Sequence, residues 1–305
     1  MKSLLKYIVE SLIVEKSESA KDLLDSLKKR NNLSDYVDDL NKMLKNKDAK
    51  EVLTNAFVLY KGKHAIDLDG EITTIPVKNL HPTQNEIDVN NSIGWPFKNE
   101  KNAKDNMEQI FDNSDDVSFG FPLVVFENKY ILDGHHRWSQ VYAFNPDCKM
   151  KCFNIVQASG PDIKSQDALK LCQGVLAAKR SVDRLGQIPK EEVEGANVFK
   201  MNEKEIKQTI EKYCEDNPKP AKIIEEYEKV NDTSKLADKI FKNLMDLRNK
   251  NEKFANKGNN RGVMPQTDKG GNNPNERGDK TASYDKKGSA LYAMTHGKMD
   301  PKVIK

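Results

Sequence analysis

ILDGHHRWSQ, residues 131–140, sets an apolar run directly against Asp-Gly and then places two histidines and an arginine in one turn. The apolar run has the composition of a short strand, and Trp138, Val141 and Tyr142 recur behind the glycine at helical spacing. The reading is strand, tight turn, helix. Upstream, FPLVVFE and KYILD are separated only by the polar Asn128 region, which predicts a hairpin; downstream, KCFNIV predicts a further strand. AIDLDG and EITTIPV, at 65–77, add strand-like runs before them.

Working outward, residues 1–60 carry repeated helix-start signals: Ser19 three before Asp22, Ser34 ahead of Val37, Leu40 and Leu44, and Asp48 three before Glu51. The opening MKSLLKYIVESLIVEK is interrupted by Lys6 and Glu10, so it reads as an amphipathic helix and not as a signal peptide. Beyond Ser159-Gly160-Pro161 the pattern is helical to about residue 255, with Asn202 and Glu205 placed as a cap and Asn217, Pro218 and Pro220 as a break before Ile223, Ile224, Tyr227 and Val230. After 255 the chain is rich in Gly and Asn and is expected to be disordered by itself, with SALYAM (289–294) as a short docking patch. The expected class is α+β. A small mixed domain (61–158) lies between helical regions at 1–60 and 162–255, followed by a mostly disordered tail at 256–305.

The 305 residues are 37% hydrophobic and 32% charged, with 50 Lys+Arg against 47 Asp+Glu and a formal charge of +3. No overall basic field argues for nucleic acid or membrane, so any such binding requires a local patch. No apolar run is long enough to span a bilayer, and a cytoplasmic location is expected. Cys148 and Cys152 form a C-x3-C pair, but Cys172 and Cys214 are too distant for a zinc knuckle, so reduced thiols are expected.

The turn at 133–137 is suited to an oxyanion. A helix start supplies main-chain N–H groups and the positive end of its dipole, Arg137 supplies a planar fork, and His135 and His136 supply imidazoles. Gly134 lets the backbone approach a ligand closely. Each residue also has a structural reading: Arg137 pairing with Asp133, one histidine as a hydrogen-bonded core residue. Adjacent histidines on a helix diverge by about a hundred degrees, and a shared metal is not expected.

ILDGHHRW, with PLVVF before it and IPVKNLHPTQNEID (75–88) upstream, resembles the ParB/sulfiredoxin superfamily over residues 68–158. Gly134 and Arg137 match the phosphate-contacting box of ParB proteins, while His135 and His136 depart from its usual glutamate and arginine. Where sulfiredoxins carry their catalytic cysteine this chain has His135, which excludes sulfinic-acid reduction. The resemblance implies binding of a nucleotide (ATP, ADP or CTP, with Mg2+ as an optional companion) and its hydrolysis or transfer. Gly134, His135, His136, Arg137, Thr83 and Gln84 would contact the nucleotide, and Glu86, Asp133 and His136 would be catalytic. Glu86 is the preferred base and Asp133 the reserve; the structural reading of Glu86 is a solvated loop carboxylate. The D-G-H-H-R type also resembles stand-alone, phage-encoded, nuclease-like domains. That implies two alternatives: a protein that binds or cuts DNA with the same turn, and an inactive virion-associated or host-interaction protein. KLCQGVLAAKRSVDRLGQIPKEEVEG carries Lys179, Arg180 and Arg184 but no clear helix-turn-helix signature. The helical flanks would dock a protein partner or a second copy.

Overall fold

A computed structural model of the chain describes residues 67–120, 122–159, 162, 164–166, 168–169 and 195–259. The readings for 1–60, Cys172, the 179–184 segment and the tail beyond 259 lie outside the described residues. The chain divides into two compact units, one of which comprises Ile72–Asn154 and Glu191–Met264 and holds every candidate residue. Of the other unit, the described residues are two strand ends (67–71 and 155–159) and a few helical positions between 165 and 169.

In chain order the elements are β1 (Asp67–Pro76), a 3-10 turn (Val77–Asn79), β2 (His81–Pro82), α1 (Val89–Phe97), α2 (Glu100–Met107) running into a π turn (Glu108–Asp112), β3 (Leu123–Phe126), β4 (Tyr130–Asp133), α3 (His135–Phe144), β5 (Lys149–Ser159), α4 (Glu203–Asp216), α5 (Pro218–Glu228) and α6 (Thr233–Ala255). The fold class is α+β: the strands form one mixed sheet in the order β1-β5-β3-β4-β2. The expected hairpin is present. β3 and β4 are antiparallel and joined by the three residues 127–129; Glu127 and Asn128 both adopt left-handed backbone (φ 52° and 55°), and Lys129 N donates to Phe126 O at 3.1 Å. β2 runs parallel to β4 at the far edge, where Pro82 removes no donor that a further strand would need.

The helix boundaries follow local chemistry. Asp88 and Asn99 cap α1 and α2 by accepting from Asn91 N and Asn102 N. Asn202 and Glu205 form the reciprocal capping box expected for α4, Pro218 opens α5 after the predicted break, and α6 ends at Ala255. The buried positions of α6 (Leu236, Ala237, Ile240, Leu244, Leu247, Asn251 and Ala255) keep a spacing of three and four. That stripe packs on α3 and α4. Trp138 and Tyr142 of α3 are completely buried against it, and Trp138 Nε1 donates to Val77 O at 2.9 Å. Strand and helical residues thus share one apolar core.

One ion pair inside this packing has a testable energy. Glu228, whose side chain is fully buried at the end of α5, is ion-paired through Oε2 with Lys239 Nζ of α6, a side chain 42% exposed. Burial raises the Glu228 pKa, with Lys239 opposing. The native protein therefore holds that proton more readily than the unfolded chain, and the associated stability is present at low pH and lost as pH rises through the folded-state value. Lys239→Met is expected to cost about 3 kcal/mol near neutrality, the lower end for breaking a buried pair. The cost should shrink at about pH 4.5, where the carboxylate regains its proton. Urea midpoints at the two pH values check this; equal losses would show that the lysine does not neutralise the carboxylate.

Candidate functional site

β4 delivers the chain to Asp133, and α3 starts two residues later. Gly134 makes that possible. Its φ is +96°, and a Cβ there would lie 2.4 Å from Leu123 Cδ2 and 2.9 Å from Arg137 Nη2. Both the backbone conformation and the space demand glycine. Gly134 O then accepts from Trp138 N at 3.0 Å, closing the first helical turn.

The two imidazoles point at main chain. His135 is 4% exposed and its Nε2 accepts from Thr83 N at 3.2 Å. His136 Nε2 accepts from Asp88 N at 3.3 Å. An accepting nitrogen carries no proton, and for His135 burial, reinforced by His136, pulls the pKa down to about 3. The structural reading of one histidine as a hydrogen-bonded core residue is what the geometry shows for His135.

Together the histidines hold the segment 83–88 against the start of α3. The same segment is gripped from its other side. Asn197 accepts from Ile87 N at 3.2 Å and donates to Asn85 O at 3.0 Å. Val198 N donates to Ile87 O at 2.8 Å, and Asn259 exchanges main-chain hydrogen bonds with Thr83 O and Asn85 N at 2.8 and 2.9 Å. Thr83 Oγ1 donates to Ile131 O at 2.5 Å, and Gln84 Nε2 to Glu86 O. Thr83 and Gln84, read from sequence as nucleotide contacts, thus spend these polar groups inside the protein.

Glu86 is 2% exposed, where the structural reading had it solvated. Its Oε1 and the Asp88 carboxylate close around Gly195, at which a Cβ would sit 2.8 Å from Glu86 Oε1 and 2.1 Å from Asp88 Oδ2. Asp88 is buried as well, and its Oδ1 caps α1.

Arg137 faces elsewhere. Its Nη2 donates to Asp133 Oδ2 at 3.2 Å and its Nη1 to Pro122 O at 3.3 Å, with 19% of the side chain exposed. It lines a cleft of about 560 Å3 between α1, α2, the 118–119 loop and α3. Trp95, Gln109, Ser118, Phe119 and Gln140 share that lining, and Asp105 and Glu108 form its acidic side. The candidate residues therefore fall into two groups. Thr83, Gln84, Glu86 and His135 form a buried nest with half-buried His136 beside them, and Arg137, tied to Asp133, opens on the cleft. Glu86 does not line the cleft.

Among the described residues no group of three His, Cys, Asp or Glu side chains is arranged to hold a metal. Cys148 and Cys152 are buried thiols, both pushed up to about 12 by burial, with Cys148 Sγ donating to Ile110 O. No described helix is long and apolar enough to cross a membrane. Sequence reading missed Asn197, Trp95, Gln109 and Gln140. Gln140 alone had a signal, since it stands one helical turn after Arg137 and so shares its face. No family model, curated protein or solved structure matches the chain.

The His135 contact makes a definite pH prediction. A histidine held neutral gives stability that is present above its unfolded value of 6.5 and lost as pH falls toward about 3. The wild-type protein is expected to lose about 1.4 kcal/mol per pH unit from this one proton across the window. His135→Asn, which removes the titrating ring, should flatten that slope while lowering stability at neutrality. Urea denaturation between about pH 4 and 7 measures both. An unchanged slope would place the proton uptake elsewhere.

Proposed function

We propose that the chain is a ParB/sulfiredoxin-like protein that binds a nucleotide phosphate in the Arg137 cleft. What carries the reading is the position of the guanidinium. It sits at the first turn of α3, partly exposed, on the wall of a cleft whose volume falls within the roughly 300–1,000 Å3 of small-molecule sites. Asp133 and Pro122 O hold the fork in place, so less side-chain freedom is lost when an oxyanion binds. Two further features support it: the order strand, turn, strand, Asp-Gly, helix, strand, and the packing of the 75–88 motif against that helix start.

The arrangement favours binding over phosphoryl transfer. Glu86, the preferred base, is enclosed beside Gly195, and His135 and His136 accept from main-chain amides and do not line the cleft. The cleft carries a single guanidinium against two carboxylates, which is not the dense basic surface that duplex DNA binding uses.

Isothermal titration of the full chain with adenosine and cytidine nucleotides, with and without Mg2+, tests the proposal. At least one nucleotide should bind in the micromolar range. Arg137→Ala should weaken it about 10- to 100-fold, the worth of a charged hydrogen bond, and Arg137→Lys should recover only part of the loss. Failure of every nucleotide to bind better than millimolar overturns the reading.

A further inference from the structure

The polarity of the cleft wall can be read from groups whose own roles are fixed. Asn106 Nδ2 donates to Asn102 O at 2.6 Å, and a helix carbonyl can only accept, so Asn106 Oδ1 is the atom turned to α3. Gln140 Nε2 donates to that Oδ1 at 2.6 Å, which leaves Oε1 as the remaining polar atom of Gln140. Across the cleft, Ser118 N can only donate, and it does so to Gln109 Oε1 at 3.4 Å. That leaves Nε2 as the remaining polar atom of Gln109. Two glutamines of the lining thus carry opposite characters, an acceptor on α3 and a donor on the π turn, with their orientations set by main-chain groups.

Aromatic surface stands beside them. Trp95 is 43% exposed and, with Phe119, lines the same cleft. A planar ligand with donor and acceptor atoms on one edge meets all of these features. The nucleobases have that form, each having π faces and a hydrogen-bonding edge.

Charge restricts the other end of the ligand. Among the described residues that line the cleft, Arg137 is the one cationic side chain; it is paired with Asp133 and shares the lining with Asp105 and Glu108. The lysines that pair with these carboxylates, Lys101 at 3.2 Å and Lys104 at 3.7 Å, are exposed and lie outside the lining. Such exposed pairs neutralise little. The guanidinium, already held by Asp133, can take one phosphate; each additional phosphate would add negative charge near Asp105, Glu108 and Asp133 with no further cation among the described lining residues.

Resting on the nucleotide-binding reading above, we propose that the ligand of the cleft is a nucleoside monophosphate. Its base edge lies between Gln109 and Gln140 beside Trp95, and its phosphate lies on Arg137.

The test is a set of titrations of the full chain in EDTA with the four ribonucleoside monophosphates, ribose 5-phosphate and ATP. The expected result is that at least one monophosphate binds tenfold or more tighter than ribose 5-phosphate, and tenfold or more tighter than its own triphosphate. Gln109→Leu, a partly exposed position, should weaken that monophosphate at least fivefold and leave ribose 5-phosphate unchanged. Equal affinity for ribose 5-phosphate, equal or tighter binding of the triphosphate, or a Gln109→Leu effect common to all ligands would each overturn this inference while the nucleotide reading stands. Absence of binding by every compound in EDTA would overturn this inference, and the nucleotide reading falls with it when the nucleotides also fail to bind in the presence of Mg2+.

Discussion

The hydrogen bond from Thr83 N to the buried ring of His135 is the contact on which the arrangement rests. It joins the first residue of α3 to a segment that precedes the hairpin in sequence, and it works only while the ring is neutral. Burial enforces that neutrality by excluding the water that would stabilise a charged imidazole. His136 repeats the contact at Asp88, so two successive side chains pin both ends of one loop. The loop in turn starts α1, because Asp88 both donates its N–H to His136 and caps the helix with its carboxylate. A polar string that looks designed for a ligand thus spends two of its members on architecture. This leaves Arg137 to face outward.

The position of Arg137 depends on that division. Gly134 brings β4 and α3 so close that Leu123 and the guanidinium occupy the space a side chain would need. Asp133 then fixes the fork from the preceding strand end. The cleft beyond it is built by α1 and α2, whose entry is set by the pinned loop. Nest and cleft are therefore one construction seen from its two faces: the covered side gives rigidity, and the open side gives chemistry.

Much of the fold was legible because its signals are local. The hairpin, the start of α3, the capping box at Asn202 and the break at Pro218 each depend on residues within a few positions of one another. α1 was hidden, since Gly94 and Pro96 inside Val89–Phe97 disguise a helical period. The environment of Glu86 was hidden for a different reason. A carboxylate in a Pro- and Asn-rich stretch reads as solvated, and nothing nearby reveals that Gly195 and Asn197 will cover it. The acceptor and donor characters of Gln140 and Gln109 follow from tertiary hydrogen bonds, so no periodicity could have revealed them.

The embrace of the 81–85 segment by the end of α6 has a consequence for biosynthesis. His81 stacks on Phe254 and bonds Asn251, a partner 170 positions further along the chain. At translation rates of about 5–20 residues per second, this partner leaves the ribosome roughly 10 to 30 seconds after His81 does. His135 and His136 emerge about a third of the way through that interval and Asn251 only at its end, so the loop's two histidine partners are synthesised well before its cover. The order of synthesis thus supplies the α3 wall of the nest before its roof.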